Sequence, residues 1–136
     1  MKYDVIIVGA GPGGIFSAYE LINLNPELKV AVIEAGNELK KRRCPIDGEK
    51  VKSCIKCKSC AIMSGFGGAG AFSDGKYNIT NDFGGSLYEY IGRKTAIDLM
   101  KYVDEINLAY GGEGTKMYST APEAARTSRT AAAYAA

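Results

Sequence analysis

The chain has 136 residues, of which 46 % are hydrophobic and 24 % charged, the balance of a globular domain with a core of its own. Its formal net charge of +2 gives no overall attraction to nucleic acid or membranes, and we expect neither as a partner. It contains no histidine, which excludes imidazole bases, Ser-His-Asp triads and zinc sites that need imidazole.

The apolar stretch near the N-terminus differs from a signal peptide or a membrane span. Its uncharged run extends only from Val5 to Tyr19, and the glycines between Gly9 and Gly14 would break a helix there. We therefore expect a cytoplasmic protein whose cysteines serve metal or redox chemistry rather than structural disulfides.

The first 34 residues predict a strand, a glycine turn, a helix and a second strand. The run from Tyr3 to Val8 ends in four β-branched residues, as in a parallel strand buried on both faces. Pro12 suits the first helical position, and Asn25 before Pro26 indicates a left-handed helix stop. The stripe along the helix is Ile15, Ala18, Tyr19 and Ile22. With a second strand from Lys29 to Glu34, the fold class is α/β, a Rossmann-type βαβ dinucleotide-binding unit.

The turn between the first strand and the helix fits the pattern G-x-G-x-x-G at Gly9, Gly11 and Gly14. These glycines would make the tight turn, admit a pyrophosphate and allow close packing of helix on strand. Glu34 lies twenty positions after Gly14, where an acid accepts hydrogen bonds from ribose and repels the 2′-phosphate of NADP. The predicted nucleotide-binding residues are Gly9, Gly11, Pro12, Gly13, Gly14, Glu34 and Ala35. A glycine-rich turn without a ligand is the alternative.

Residues 37–63 lack clear periodicity and contain all four cysteines. Cys54, Cys57 and Cys60 form C-x-x-C-x-x-C, the spacing of the first three ligands of a bacterial [4Fe–4S] cluster, and Cys44 lies ten residues upstream. A four-cysteine zinc site, a redox dithiol and four reduced thiols in a loop remain open. The eight basic residues between Lys40 and Lys58 indicate either a solvated loop or a positive rim for an anion.

A second glycine-rich segment runs from Ser64 to Gly75 and contains two phenylalanines, which a flexible tether would not carry. Its glycines indicate a backbone that passes close to a ligand, with Ser73 and Asp74 available for hydrogen bonds; a packing loop is the alternative.

The remaining elements are predicted by spacing and capping residues. A short strand is predicted at 76–80, and a capping box at Ser86 and Glu89 begins a helix that stops at Gly92. A longer helix starts at Thr95 and ends before Gly111. Its apolar stripe is Leu99, Val103, Ile106 and Tyr110.

Three stretches together resemble a known family: Asp4–Gly14, Val32–Glu34 and Ser64–Lys76. They are similar to the N-terminus of the FAD-dependent dehydrogenases, also described as NAD(FAD)-utilising dehydrogenases, among the glutathione-reductase-like flavoproteins. The resemblance covers residues 1–118 and implies an FAD-dependent oxidoreductase with NAD as a candidate electron donor. It implies flavin contacts at Gly67, Gly68, Ser73 and Asp74.

Family members are much longer than this chain, so we expect the N-terminal part of an incomplete FAD-binding domain. The expected organisation is residues 1–120 for that part, with a cysteine-containing insertion at 37–63, and an alanine-rich tail at 121–136. The substrate would be a small molecule that the sequence does not identify. Two alternatives are an NAD-binding module without flavin and an iron–sulfur or zinc-binding electron-transfer module.

Overall fold

A computed structural model describes residues 2–72, 78–82, 84–111 and 118–119. The chain divides after Phe72 into two compact units. Ser73, Asp74 and the alanine-rich tail at 121–136 lie outside the described residues.

The first unit is built on a βαβ arrangement. Strand β1 (Val5–Val8) is followed by helix α1 (Pro12–Leu24) and strand β2 (Val30–Ile33). The strands are parallel, with Val5 opposite Val30 and Val8 opposite Ile33. The predicted α/β fold class, a Rossmann-type βαβ unit, is confirmed.

The two faces of β1 differ, so the prediction of a strand buried on both faces is wrong. Val5 and Ile7 are half-buried, whereas Ile6 is 57 % and Val8 85 % exposed. Successive side chains of a strand point to opposite faces, and α1 packs against the sheet. Within the described residues the face that carries Ile6 and Val8 is therefore apolar and open to solvent.

Helix α1 begins as predicted with Pro12 but ends differently. Asn25 has an extended backbone (φ −149°) rather than the predicted left-handed one. Its side-chain oxygen accepts a hydrogen bond from the Glu27 N–H at 3.2 Å, so the side chain forms a local turn around Pro26.

After β2, the regular structure of the first unit consists of two short 3-10 helices, Leu39–Lys41 and Ala69–Phe72. Residues 44–60 contain no helix or strand, in agreement with their lack of periodicity.

The second unit contains strands β3 (Asn78–Ile79) and β4 (Tyr118–Ser119), which pair in parallel, and helices α2 (Leu87–Ile91) and α3 (Arg93–Ala109). Ser86 precedes α2 as predicted, but its side chain makes no capping hydrogen bond; its carbonyl accepts the Glu89 N–H at 2.9 Å. Helix α3 begins two residues before the predicted Thr95, because the turn between the helices is made by Gly92 (φ +82°).

The inward face of α3 differs from the predicted stripe. Ala96 and Asn107 are buried, whereas Leu99 and Tyr110 are 47 % and 60 % exposed. The inward face follows the helical spacing of Ala96, Met100, Val103 and Asn107. In the described part of the chain, no helix is long and apolar enough to cross a membrane.

Candidate functional site

The loop between β1 and α1 turns at Gly9, whose φ of +101° favours glycine. The Gly9 N–H donates to the Ile33 carbonyl at 2.7 Å, which extends the pairing of the strands into the turn. A Cβ atom at Gly14 would overlap the Gly9 carbonyl oxygen, so glycine is required where α1 crosses the loop. These two positions have the roles in turning and packing that the G-x-G-x-x-G pattern predicts.

At Gly11 and Gly13, by contrast, the packing of the protein itself does not require glycine. A Cβ at Gly11 would lie 4.0 Å from the Gly68 Cα, an ordinary contact, and one at Gly13 would meet nothing within 4 Å. The first helical acceptor is the Gly11 carbonyl, bonded by the Ile15 N–H at 3.0 Å. The N–H groups of Gly13 and Gly14 therefore have no carbonyl partner inside the helix, and the positive end of the helix dipole lies beside them.

Glu34 follows β2, and its carboxylate reaches back to this loop. Oε2 accepts the Ala10 N–H and Oε1 accepts the Gly36 N–H, both at 2.8 Å. The hydrogen bonds from Ala10 and Gly36 lower the pKa of the Glu34 carboxyl below its usual value, with smaller contributions from Gly65 and the charge of Arg42. A carboxylate offers about four lone-pair sites, so an acceptor site remains for a ligand hydroxyl.

The second glycine segment packs against the first. The Gly67 N–H donates to the Ala10 carbonyl at 2.8 Å. A Cβ at Gly68 would lie 3.1 Å from the Gly11 Cα and 3.2 Å from the Pro12 Cδ, so Gly68 allows this close approach. The segment thus borders the G-x-G-x-x-G loop directly.

The position of the second segment is held by Arg42, which is only 3 % exposed. Its Nε donates to the Ala61 carbonyl at 2.8 Å and its Nη2 to the Ile62 carbonyl at 2.7 Å. Its Nη1 donates to the carbonyls of Phe66 (2.6 Å) and Gly68 (2.8 Å). The guanidinium carbon also lies 4.7 Å from the centre of the Phe72 ring. One side chain therefore fixes much of residues 61–72.

The eight basic residues between Lys40 and Lys58 consequently do not form one uniform surface. Seven are exposed and fit a solvated loop, whereas Arg42 is buried and has a structural role. Sequence reasoning missed Arg42, because its type and spacing do not distinguish it from the exposed Arg43 beside it.

The four cysteines are free thiols. Cys44, Cys54 and Cys57 are exposed and Cys60 is half-buried. Together they line a cavity of about 80 Å³. Among the described residues, no group of three or more His, Cys, Asp or Glu side chains is arranged to hold a metal ion.

The structure thus brings most of the predicted nucleotide-binding residues to one place. The glycine loop, Glu34, Gly67 and Gly68 are joined by the hydrogen bonds and contacts above, and Ala35 is exposed between Glu34 and Gly36. Ser73 and Asp74 lie outside the described residues.

The N-terminal region is similar to known proteins. A profile of the Thi4 family matches residues 1–39. The thiamine thiazole synthases of Coprinopsis cinerea, Yarrowia lipolytica and Phaeosphaeria nodorum are each 52 % identical to this chain over 33 residues. That stretch is 24 % of this chain and spans only 10 % of the length of each relative. No solved structure matches the chain.

The Thi4 match contains the glycine loop and Glu34 and ends before Arg42, the cysteines and the second glycine segment. It names a different family from the FAD-dependent dehydrogenases that the longer pattern resembles. The Thi4 match and the resemblance to the dehydrogenases nevertheless both include the same βαβ unit, and both relate that unit to known enzymes.

Proposed function

We propose that residues 1–72 contain the site for the ADP half of FAD in a flavin-dependent oxidoreductase. The observation that carries the proposal is the free N-terminus of α1 beside Gly11. A helix N-terminus with unpaired N–H groups binds phosphate, and it does so best where a glycine lets the phosphate approach the backbone.

The residues present fit this group. Gly11 and Gly13 leave open the space that a Cβ would occupy. No contact within the protein requires that space to be open, so it is available to a ligand. Glu34 is held beside the loop by Ala10 and Gly36, where its remaining acceptor site can take a ribose hydroxyl. Its negative charge disfavours a 2′-phosphate, as in NADP.

In this proposal, the chain binds and orients the nucleotide. The N–H groups of Gly13 and Gly14 hold the pyrophosphate, Glu34 holds the ribose, and Arg42 keeps the second glycine segment against the loop. FAD, when bound, supplies the hydride or electron transfer. The resemblance over residues 1–118 supports flavin contacts at Gly67, Gly68, Ser73 and Asp74, with NAD as the electron donor.

The similarity to thiamine thiazole synthases supports a nucleotide site but not their activity, because it spans a tenth of their length. An NAD-binding module without flavin would use the same glycine loop. The second glycine segment favours FAD, since it extends the site beyond the turn that both nucleotides need.

The test compares Gly11→Ala with Gly70→Ala. Each adds one methyl group in available space, since a Cβ at Gly70 would lie 3.8 Å from the Pro12 Cγ. We expect both variants to keep the wild-type melting temperature. FAD affinity, measured by quenching of flavin fluorescence, should fall roughly tenfold or more in Gly11→Ala alone, a loss of about 1.4 kcal/mol.

Equal FAD affinities in the two variants would contradict a pyrophosphate at Gly11. Binding of NAD with no binding of FAD would favour the module without flavin.

A further inference from the structure

We propose that Cys44, Cys54, Cys57 and Cys60 form a metal centre with four thiolate ligands, separate from the nucleotide site. The chain folds so that all four cysteines line the same cavity of about 80 Å³, although Cys44 lies ten residues before the first of the other three. If the four thiols were unrelated and simply solvated, nothing would require Cys44 to lie beside Cys54, Cys57 and Cys60.

The spacing of the triplet suits a soft metal. Thiolates two residues apart ligate zinc and iron–sulfur clusters, and four thiolates in tetrahedral array are typical of both. Within the first pair, one backbone N–H is directed at the sulfur of Cys54. Lys56 has a φ of +53°, and its N–H donates to the Cys54 Sγ at 3.4 Å. Hydrogen bonds to a ligating atom help to orient that atom toward a metal.

The surroundings of the cavity also suit a thiolate centre. Four thiolates around a divalent ion carry a net charge of −2, and exposed Lys52, Lys56 and Lys58 lie within two residues of a cysteine in the chain. Their positive charges offset it.

The sulfur atoms are not yet in a ligating arrangement, so metal binding must draw the loop together. The loop permits this, because residues 44–60 contain no helix or strand and three of the cysteines are exposed. Metal–sulfur bonds form as each S–H bond breaks, and the protons leave to solvent with no change of oxidation state.

The first measurement is the metal, iron and acid-labile sulfide content of the protein purified without oxygen. One zinc ion per chain, or iron with sulfide, supports the proposal and distinguishes the two kinds of centre. Absence of both, together with failure of added Zn²⁺ or Co²⁺ to bind, would overturn it.

Variants then test the ligands. We expect Cys57→Ser and Cys44→Ser to weaken binding of Co²⁺ roughly tenfold or more, and to lower the intensity of the thiolate-to-cobalt charge-transfer band, because one of the four thiolates is lost. Ser59→Ala is the matched control, since Ser59 is an exposed neighbour of Cys60 and should leave the band unchanged. A band of equal intensity in Cys57→Ser would overturn the assignment.

A measurement on the wild-type chain avoids variants that fail to fold. Zn²⁺ should protect all four thiols from alkylation, and a chelator should restore their reactivity. Thiols that react equally with and without Zn²⁺, or a disulfide between two of them, would overturn the proposal. None of these measurements depends on flavin binding, so each still tests the metal centre if the proposed function is wrong.

Discussion

Glu34 links two loops through a carboxylate whose pKa is lowered. Hydrogen bonds from Ala10 and Gly36 stabilise the charged form in the folded protein, and the unfolded chain has the ordinary value near 4.5. The group therefore contributes stability that is fully present above pH 4.5 and is lost as the pH falls through the lowered pKa of the folded state.

We expect acid to lower the unfolding free energy of the wild-type chain more than that of Glu34→Gln. Glu38→Gln is the matched control, because the Glu38 ion pair with Lys41 is exposed and contributes little. Denaturant unfolding at pH 7 and below pH 4.5 measures the difference. Identical acid sensitivity of Glu34→Gln and the wild type would show that the hydrogen bonds do not stabilise the fold.

Arg42 and Arg43 are adjacent arginines with opposite environments, one buried and one exposed. Arg42→Lys loses the planar fork that reaches four carbonyls, and it leaves buried acceptors without donors. We expect it to lower the unfolding free energy by about 3 kcal/mol, whereas Arg43→Lys should change it by less than about 0.5 kcal/mol. Chemical denaturation measures both changes in unfolding free energy. Equal effects of the two substitutions would contradict the structural role of Arg42.

At the scale of elements, the contact between α1 and β1 depends on Gly14. We expect Gly14→Ala to destabilise the protein by about 3 kcal/mol, because the new methyl group overlaps the Gly9 carbonyl oxygen. Gly13→Ala adds the same group in open space and should stabilise α1 by up to about 1 kcal/mol. Thermal unfolding compares them, and similar melting temperatures would contradict the packing described for this loop.

Local signals predicted the βαβ unit well, because strand, glycine turn and helix are each encoded in consecutive residues. Pro12 and the spacing of the glycines fixed the start of α1. Contacts between distant residues were not predictable in this way. The burial of Arg42 depends on carbonyls about twenty residues away, and the exposure of Ile6 and Val8 depends on which layer covers the sheet.

The inward face of α3 shows the same limit. Apolar residues at helical spacing predicted Leu99 and Tyr110 as part of it, yet the helix turns Ala96 and the polar Asn107 inward. The spacing specifies a stripe, and the packing of neighbouring elements decides which of two adjacent stripes faces inward.

At the scale of the whole molecule, the candidate sites identified among the described residues lie in the first unit. It contains the glycine loop, Glu34, the Arg42 anchor and all four cysteines, within residues 1–72. The Thi4 similarity covers the first two of these features, and Arg42 and the cysteines follow it in the chain. We infer that one unit combines nucleotide binding with a thiolate metal centre.

We propose that the N-terminus of α1 binds the pyrophosphate of FAD. The most direct test is a titration of the ¹⁵N-labelled chain with FAD, with ADP alongside, followed by the amide signals. We predict the largest changes at Gly11, Gly13 and Gly14 for both ligands. A folded chain whose amide signals stay unchanged, or change only outside the glycine loop and Glu34, would contradict pyrophosphate binding at this helix N-terminus.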